Sequence, residues 1–159
     1  MSGKKLIVFV VGPIKSGKTM IANHLADLTE SLETNEYHPT QGVRVLEFDR
    51  KIVGDAKKNQ KWREVTIEVE LWDCSGHEQQ ECFPTIKSNQ SLIFMHRTVQ
   101  TVSKGKFKTS NKILSKSPII YSSIDLDPES IKIEFDAFLA NAYTAFLENN
   151  DQEENAIMS

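Results

Sequence analysis

The residues best suited to chemistry are the eight that follow the first apolar run of the chain. Residues 12–19 read GPIKSGKT and fit the phosphate-binding pattern G-x-x-x-x-G-K-[ST]. In that pattern the glycines let backbone N–H groups approach a phosphate, the lysine reaches the β- and γ-phosphates, and the hydroxyl binds Mg²⁺. Lys18 and Thr19 are therefore the first candidate site residues. A glycine-containing turn that binds nothing is the alternative.

A second group of candidates lies further along the chain. Asp73 and Gly76 occur in WDCSG, directly after an alternating apolar run. An aspartate at the carboxyl end of a strand, beside a phosphate loop, lies where open α/β sheets bind ligands, so Asp73 is expected to hold Mg²⁺ through water. Thr40, in a polar loop, could reach the metal only when a γ-phosphate is present, which is the basis of a switch. A turn capped by Asp73 and an ordinary loop threonine are the alternatives.

Hydrophobic patterns predict the elements that must position these residues. Residues 6–11 predict a strand buried on both faces, and an amphipathic helix should follow the loop. Residues 43–48 and 65–72 predict two strands that pair antiparallel, joined by a mobile connection over residues 49–61. We expect the first helix to bury four apolar side chains, which are Met20, Ile21, Leu25 and Leu28.

The second half of the chain predicts fewer elements. Residues 92–95 and 119–122 have the composition of short strands. The sequence Asp127-Pro128-Glu129 has the cap, the proline and the acid that open a helix. We expect that helix to bury Ile131, Phe135, Phe138 and Ala142, and the polar residues after Glu148 to fray.

Composition indicates one ordinary soluble domain. The chain has 159 residues, of which 39% are hydrophobic and 26% charged, and its net charge of −3 argues against general nucleic-acid binding. Two cysteines suggest neither a disulfide framework nor a metal-ligand repeat. We expect no membrane insertion and no lipid anchor, because no apolar run is long enough and no lipidation signal is present. Residues 1–150 are predicted to form a single nucleotide-binding domain, followed by an acidic tail over residues 151–159.

The motifs GPIKSGKT, YHPTQG and WDCSGHE resemble those of the Rab/Ras-like small GTPases. The segments HPTQGVRVLEF, ELWDCSG and EFDAFL…DQEENAIMS are similar to the Rab-like GTPase subunits of the intraflagellar transport B complex. This resemblance implies an α/β fold, a Ras-like P-loop G domain with a mostly parallel sheet and one antiparallel edge strand. It implies GTP or GDP and Mg²⁺ as cofactors, coiled-coil subunits of that complex as partners, and a location in the cytoplasm, the cilium or flagellum and its basal body.

The same resemblance implies a set of site residues. The implied nucleotide-binding residues are Gly12, Ile14, Lys15, Ser16, Gly17, Lys18, Thr19, Thr40, Gly76, Ser122 and Ser123. The implied metal residues are Thr19, Thr40 and Asp73. His77 stands where active relatives usually carry the glutamine that orients the attacking water, and is the catalytic candidate. His77 at this position and Ile14 in place of a loop glycine together predict slow or absent GTP hydrolysis.

Part of a Ras-like domain is missing from the sequence. The Asn-Lys-x-Asp motif that selects guanine is absent, which leaves both guanine and adenine open as the base. A Ras-like domain also has a fourth strand and a third helix, together roughly 25 to 30 residues, the length of a crossover unit. We infer that these two elements have no counterpart in this chain. We expect the strand at residues 92–95 to lie directly beside the first strand, which gives the order second, third, first, 92–95 and 119–122. An apolar face should then remain uncovered where the third helix would lie.

Three functions stay open at this point. The first is a slow GTPase switch, and the second is a nucleotide-stabilised scaffold module without turnover. The third is a small P-loop ATP-dependent kinase, which accounts for residues 12–19 but not for Thr40 or WDCSG.

Overall fold

The chain folds into an α/β arrangement of four strands and two helices among the residues that the structure describes. The computed structural model describes residues 5–28, 39–54, 63–75, 90–94, 120 and 123–157. The elements in chain order are β1 (Lys5–Val11), α1 (Lys18–Leu25), β2 (Val43–Gly54), β3 (Arg63–Cys74), β4 (Gln90–Phe94) and α2 (Pro128–Ile157). None of the described helices is long and apolar enough to cross a membrane.

The sheet has the strand order β2-β3-β1-β4. β1 is parallel to both of its neighbours, with Val8 opposite Leu71 of β3 and opposite Ser91 of β4. β2 pairs antiparallel with β3 at the edge of the sheet. The predicted order is confirmed for these four strands, including the direct pairing of β4 with β1. Of the predicted strand at residues 119–122 only Ile120 is described, and it does not lie in a strand.

The pair formed by β2 and β3 is longer than predicted. Each strand has twelve residues, and the register continues to Gly54 opposite Arg63. The expectation that the mobile connection begins at residue 49 is therefore wrong. The charges that suggested a connection lie on an edge strand, where Lys51 pairs with Glu64 at 3.1 Å and Ile52 is buried. Alternate residues of an edge strand can face water while the others face the core.

The main core lies between the sheet and the two helices. Its buried members come from β1 (Leu6, Val8, Val10), α1 (Ala22, Leu25), β2 (Ile52), β3 (Ile67, Val69, Leu71) and α2 (Ile131, Phe135, Leu139, Tyr143). The prediction for α1 is partly wrong, because Met20 and Leu28 are each 48% exposed. Met20 lies about 140° around the helix from Leu25 at 3.6 residues per turn, and Leu28 lies beyond the helix end.

The last helix begins as the sequence predicts. The backbone N–H of Ser130 donates to Asp127 Oδ1 at 3.1 Å, so Asp127 caps the helix that starts at Pro128. Ile131 and Phe135 are buried as expected, but the buried stripe continues through Leu139 and Tyr143, and Phe138 and Ala142 are only partly buried. The helix extends to Ile157, so the polar segment after Glu148 is helical where we expected fraying.

The opposite face of the sheet contradicts one expectation. Phe9, Val11 and Cys74 on that face are each at most 5% exposed, so the predicted uncovered apolar face is wrong at these positions. On this face the Phe9 and Trp72 rings lie with centroids 5.3 Å apart inside a second apolar cluster. Among the described residues of the edge strand, Val45 and Val53 are exposed apolar side chains at positions that alternate with the buried Ile52.

Candidate phosphate and metal site

The loop after β1 folds back on itself at the carboxyl edge of the parallel strands. Gly12 and Gly17 have φ angles of 146° and 88°, and Lys15 between them has a φ of 57°. A side chain at Gly17 would meet no atom within 4 Å, so the requirement for glycine there comes from the backbone conformation and not from space. Left-handed residues that alternate with right-handed ones build the anion-binding nests of phosphate loops.

Lys18, the first residue of α1, is drawn into this loop. Its ammonium donates to the carbonyls of Gly12 at 3.0 Å and Pro13 at 2.8 Å, and the residue is only 6% exposed. Burial lowers the pKa of Lys18, while the negative charge of Asp73 acts in the opposite direction. A buried ammonium with three donors, two of them used by loop carbonyls, suits a phosphate that arrives in the loop.

Three predicted metal residues meet beside the loop. Thr19 Oγ1 donates to Asp73 Oδ2 at 2.7 Å, and the hydroxyls of Thr19 and Thr40 lie 2.8 Å apart. Since a hydroxyl has only one proton, and Thr19 gives its proton to the carboxylate, Thr40 is the donor in the second bond. The chain thus brings together one residue from α1, one from the loop before β2 and one from the end of β3.

The carboxylate of Asp73 is the buried charge at the centre of the group. Asp73 is 0% exposed, and burial raises its pKa, opposed by the hydrogen bond from Thr19 and by the charges of Arg44 and Lys18. Within the described part of the chain, Asp73 Oδ1 accepts no hydrogen bond. The hydroxyl of Ser16, in the loop, is likewise buried without a described partner. Such atoms are costly unless something binds to them.

Sequence reasoning missed two residues at this group. Arg44 lies directly opposite Asp73 in the antiparallel register, with Arg44 Nε 4.0 Å from Asp73 Oδ2. Arg44 also donates from Nη2 to Oδ1 of Asn23, which is buried on α1. The predicted antiparallel pairing was the only signal for Arg44. The register that places it opposite Asp73 could not be read, because the length of the connection between the strands was unknown.

The remaining predicted site residues are distributed differently. Ile14 is 49% exposed at the outer side of the loop, and Lys15 is exposed beside it. Ser123 lies in the turn before α2, where its carbonyl accepts a hydrogen bond from the Asp127 N–H at 2.9 Å. Three further predicted residues, Gly76, His77 and Ser122, lie outside the described residues.

The donor set fits Mg²⁺ when a phosphate accompanies it. No group of three or more His, Cys, Asp or Glu side chains that could hold a metal occurs in the described part of the chain. The site instead offers one carboxylate and two hydroxyls. Mg²⁺ is usually held by one or two carboxylates together with substrate phosphates and water. Asp73 Oδ1 and the Ser16 hydroxyl, which have no hydrogen-bond partner among the described residues, are the observations that fit such a bound group.

Comparison with known proteins shows the family. No protein-family model matches the chain. The intraflagellar transport protein 22 homolog of Homo sapiens is 32% identical over 192 residues, and the alignment covers 98% of this chain and 99% of that protein. The homolog of Xenopus tropicalis is 30% identical over 191 residues with the same coverage. Intraflagellar transport associated protein 2 of Caenorhabditis elegans is 32% identical over 112 residues, which is 55% of this chain and 44% of that protein.

Together with the α/β fold and the loop at the end of β1, these relatives show the protein family to which the chain belongs. The chain belongs to the intraflagellar transport protein 22 family, and its function is therefore in intraflagellar transport. The alignment with the Xenopus protein spans 191 positions, whereas this chain has 159 residues. At least 32 aligned positions (191 less 159) therefore have no residue here. A shortfall of that size fits the predicted absence of an internal strand and helix.

Proposed function

We propose that this chain is a Rab-like nucleotide-binding subunit of the intraflagellar transport machinery, with GTP or GDP and Mg²⁺ bound at the loop after β1. The observation that carries the proposal is the convergence of Lys18, Thr19 and Thr40 on the buried carboxylate of Asp73, whose Oδ1 has no described partner. A structural turn does not need a buried lysine and a buried carboxylate, and burying them without a ligand costs stability.

Each residue has a distinct role in this proposal. Lys18 neutralises the β- and γ-phosphates, and Thr19 and Asp73 hold Mg²⁺, which in turn offsets the phosphate charge. Thr40 joins them from the loop before β2, in which the Gly42 carbonyl also accepts from the Ser75 N–H at 2.8 Å. Its hydroxyl bonds to Thr19 in the present state, so occupancy by a metal and a γ-phosphate would exchange that bond for another. This exchange would let the loop report on the nucleotide.

Turnover in this proposal is slow or absent. Ile14 projects from the loop at 49% exposure, where a glycine would leave room for a catalytic group. His77 replaces the glutamine that usually orients the attacking water. A nucleotide that is held and rarely hydrolysed suits a stable subunit that meets coiled-coil partners in the cilium or flagellum and at its basal body. Family membership does not favour a kinase.

The identity of the nucleotide tests the proposal most directly. The purified chain is denatured, and the released small molecules are separated by anion-exchange chromatography. We expect GDP or GTP in a ratio near one per chain. Release of adenine nucleotides would overturn the guanine assignment, and failure to bind any nucleotide, before or after incubation with GDP and ADP, would overturn the nucleotide site itself.

The variant Lys18→Ala tests the role of the loop. Loss of a charged donor to phosphate is expected to weaken GDP binding about 100-fold, since hydrogen bonds to charged groups contribute up to about 3 kcal/mol. Isothermal titration calorimetry measures the change. Lys51→Ala is the matched control, because Lys51 is an exposed lysine whose described partner is Glu64 on the neighbouring strand. Equal affinity of the two variants would contradict the assignment of Lys18.

A further inference from the structure

Arg44 occupies an unusual position beside the proposed metal group. Its register partner is Asp73, and Arg44 Nε lies 4.0 Å from Asp73 Oδ2, too far for a hydrogen bond. That Nε is buried and has no described partner, while another nitrogen of the guanidinium donates to Asn23 on α1. The arginine is thus held next to the carboxylate without being bonded to it.

The held position has an electrostatic consequence. Asp73 is fully buried, and the cations that act on it in the described part of the chain are Arg44 and Lys18. The ammonium of Lys18 donates hydrogen bonds to the loop carbonyls of Gly12 and Pro13. Arg44 approaches from β2, and its Nε faces Asp73 Oδ2, the same oxygen that accepts from Thr19, while Oδ1 has no described partner. A fixed positive charge at that distance compensates the carboxylate when no metal is present and repels a metal when one arrives.

We infer that Arg44 is a built-in counter-ion of Asp73 that competes electrostatically with Mg²⁺ and thereby sets how strongly nucleotide binding depends on the metal. The inference rests on the proposed nucleotide site and deepens it by naming a residue that regulates its metal. Asn23 is the positioning residue, because its carbonyl oxygen holds the guanidinium in place.

The inference predicts opposite effects with and without the metal. Removal of the positive charge in Arg44→Gln should destabilise the metal-free protein, because the buried carboxylate loses its counter-charge. The same change should strengthen Mg²⁺ binding to the nucleotide complex. We expect about a tenfold lower Mg²⁺ concentration at half-effect, within the range common for coupling between two sites.

The experiment follows the release of a fluorescent GDP analogue from the full chain as Mg²⁺ is titrated, with an ADP analogue in a parallel series. The melting temperature without nucleotide or metal is the second readout. Arg44→Lys keeps the charge and should retain a Mg²⁺ dependence close to that of the wild type. Arg50→Gln is the matched control, because Arg50 lies on the same strand and pairs with Asp136, away from the metal group. If Arg44→Gln does not fold, Arg44→Met, which keeps the aliphatic stem, replaces it.

The possible results distinguish a failure of the counter-ion inference from a failure of the proposed nucleotide site. A lower Mg²⁺ requirement in Arg44→Gln, with Arg44→Lys and Arg50→Gln unchanged, supports the counter-ion. If the wild type depends on Mg²⁺ and Arg44→Gln depends on it equally, the counter-ion inference fails and the nucleotide site stands. If the wild type binds neither analogue, the proposed function fails, and this inference fails with it.

Discussion

The hydroxyl of Thr19 connects the parts of the candidate site. It accepts from Thr40 and donates to Asp73, so one side chain joins α1, the loop before β2 and the end of β3. Oδ1 of Asp73 has no described partner, whereas its carboxylate is stabilised by the hydrogen bond from Thr19 and, more weakly, by Thr40. Thr19 is therefore the principal described donor to the buried carboxylate in the ligand-free site.

Replacement of that donor is expected to destabilise the chain. Thr19→Val keeps the shape of the side chain but leaves the buried carboxylate without its hydrogen bond, which should cost about 1–3 kcal/mol of unfolding free energy. Urea unfolding without nucleotide measures the cost. Thr19→Ser, which keeps the hydroxyl, should lose much less. If the valine variant were as stable as the serine variant, the bond to Asp73 would not contribute to stability.

The sequence predicted some residues of the site and not others, for physical reasons. Lys18, Thr19 and Asp73 could be found because their motifs sit at the ends of strongly apolar runs. Arg44 and Asn23 could not be found, because their place at the site depends on strand register and helix rotation. Both are set by packing that the local sequence does not determine.

At the scale of the elements, α1 interacts with other elements at both of its ends. Its first turn holds the candidate site, and Asp27, directly after the C-cap Ala26, has a φ of 57°. Asp27 accepts from Lys132 of α2 at 2.5 Å and lies 3.6 Å from Arg50 of β2. Arg50 in turn forms a bidentate ion pair with Asp136 of α2, in which Nε donates to Oδ1 at 2.7 Å and Nη2 to Oδ2 at 3.3 Å. This ion-pair network ties α1, β2 and α2 together.

The network predicts a pH dependence of stability. The hydrogen bond from Lys132, then the charges of Lys132 and Arg50, lower the pKa of Asp27. A carboxyl group with a lowered pKa stabilises the fold above its ordinary pKa of 3.8, and that contribution is lost as the pH falls through the lowered value. Asp27→Asn should therefore cost at most about 1 kcal/mol at pH 7, because the side chain is 65% exposed.

Urea unfolding of wild type and Asp27→Asn from neutral pH downwards measures this difference. It should shrink below about pH 4, where the unfolded aspartate becomes protonated, and then disappear. Asp125→Asn, at an exposed position in the turn before α2, is the control and should show no such difference. A difference between wild type and Asp27→Asn that stayed constant into acid would show that the charge of Asp27 does not act through the network.

Element lengths were harder to predict than element types. The alternation of Val65, Ile67, Val69 and Leu71 predicted β3 and its pairing. The charges at residues 49–51 hid the continuation of β2, because Arg50 has a charged partner on α2 that no local pattern shows. The stripe of α2 shifted for the same kind of reason, since the helix rotates to pack Leu139 and Tyr143 against the core.

At the scale of the whole molecule, the shortened chain still forms a continuous four-stranded sheet. β4 takes the place beside β1, and Phe9, Val11 and Cys74 on the face opposite the helices are buried. The uncovered apolar face that the sequence predicts is therefore a weak reason to expect an unstable fold. The stronger reason is the buried polar group at the loop, where Ser16, Lys18 and Asp73 have donors or acceptors that a ligand would satisfy.

This group predicts that the melting temperature depends on the nucleotide. Without nucleotide, the chain should unfold below about 60 °C, the upper part of the usual range. GDP and Mg²⁺ at about 100 times the dissociation constant should add about 2.7 kcal/mol, which corresponds to roughly 5–10 °C for a chain of this length. Differential scanning calorimetry measures both values, and Lys18→Ala should show almost no shift. A reversible transition above about 60 °C without nucleotide, unchanged by GDP and Mg²⁺, would show that the buried polar group is satisfied without a ligand and that the shortened domain is stable alone.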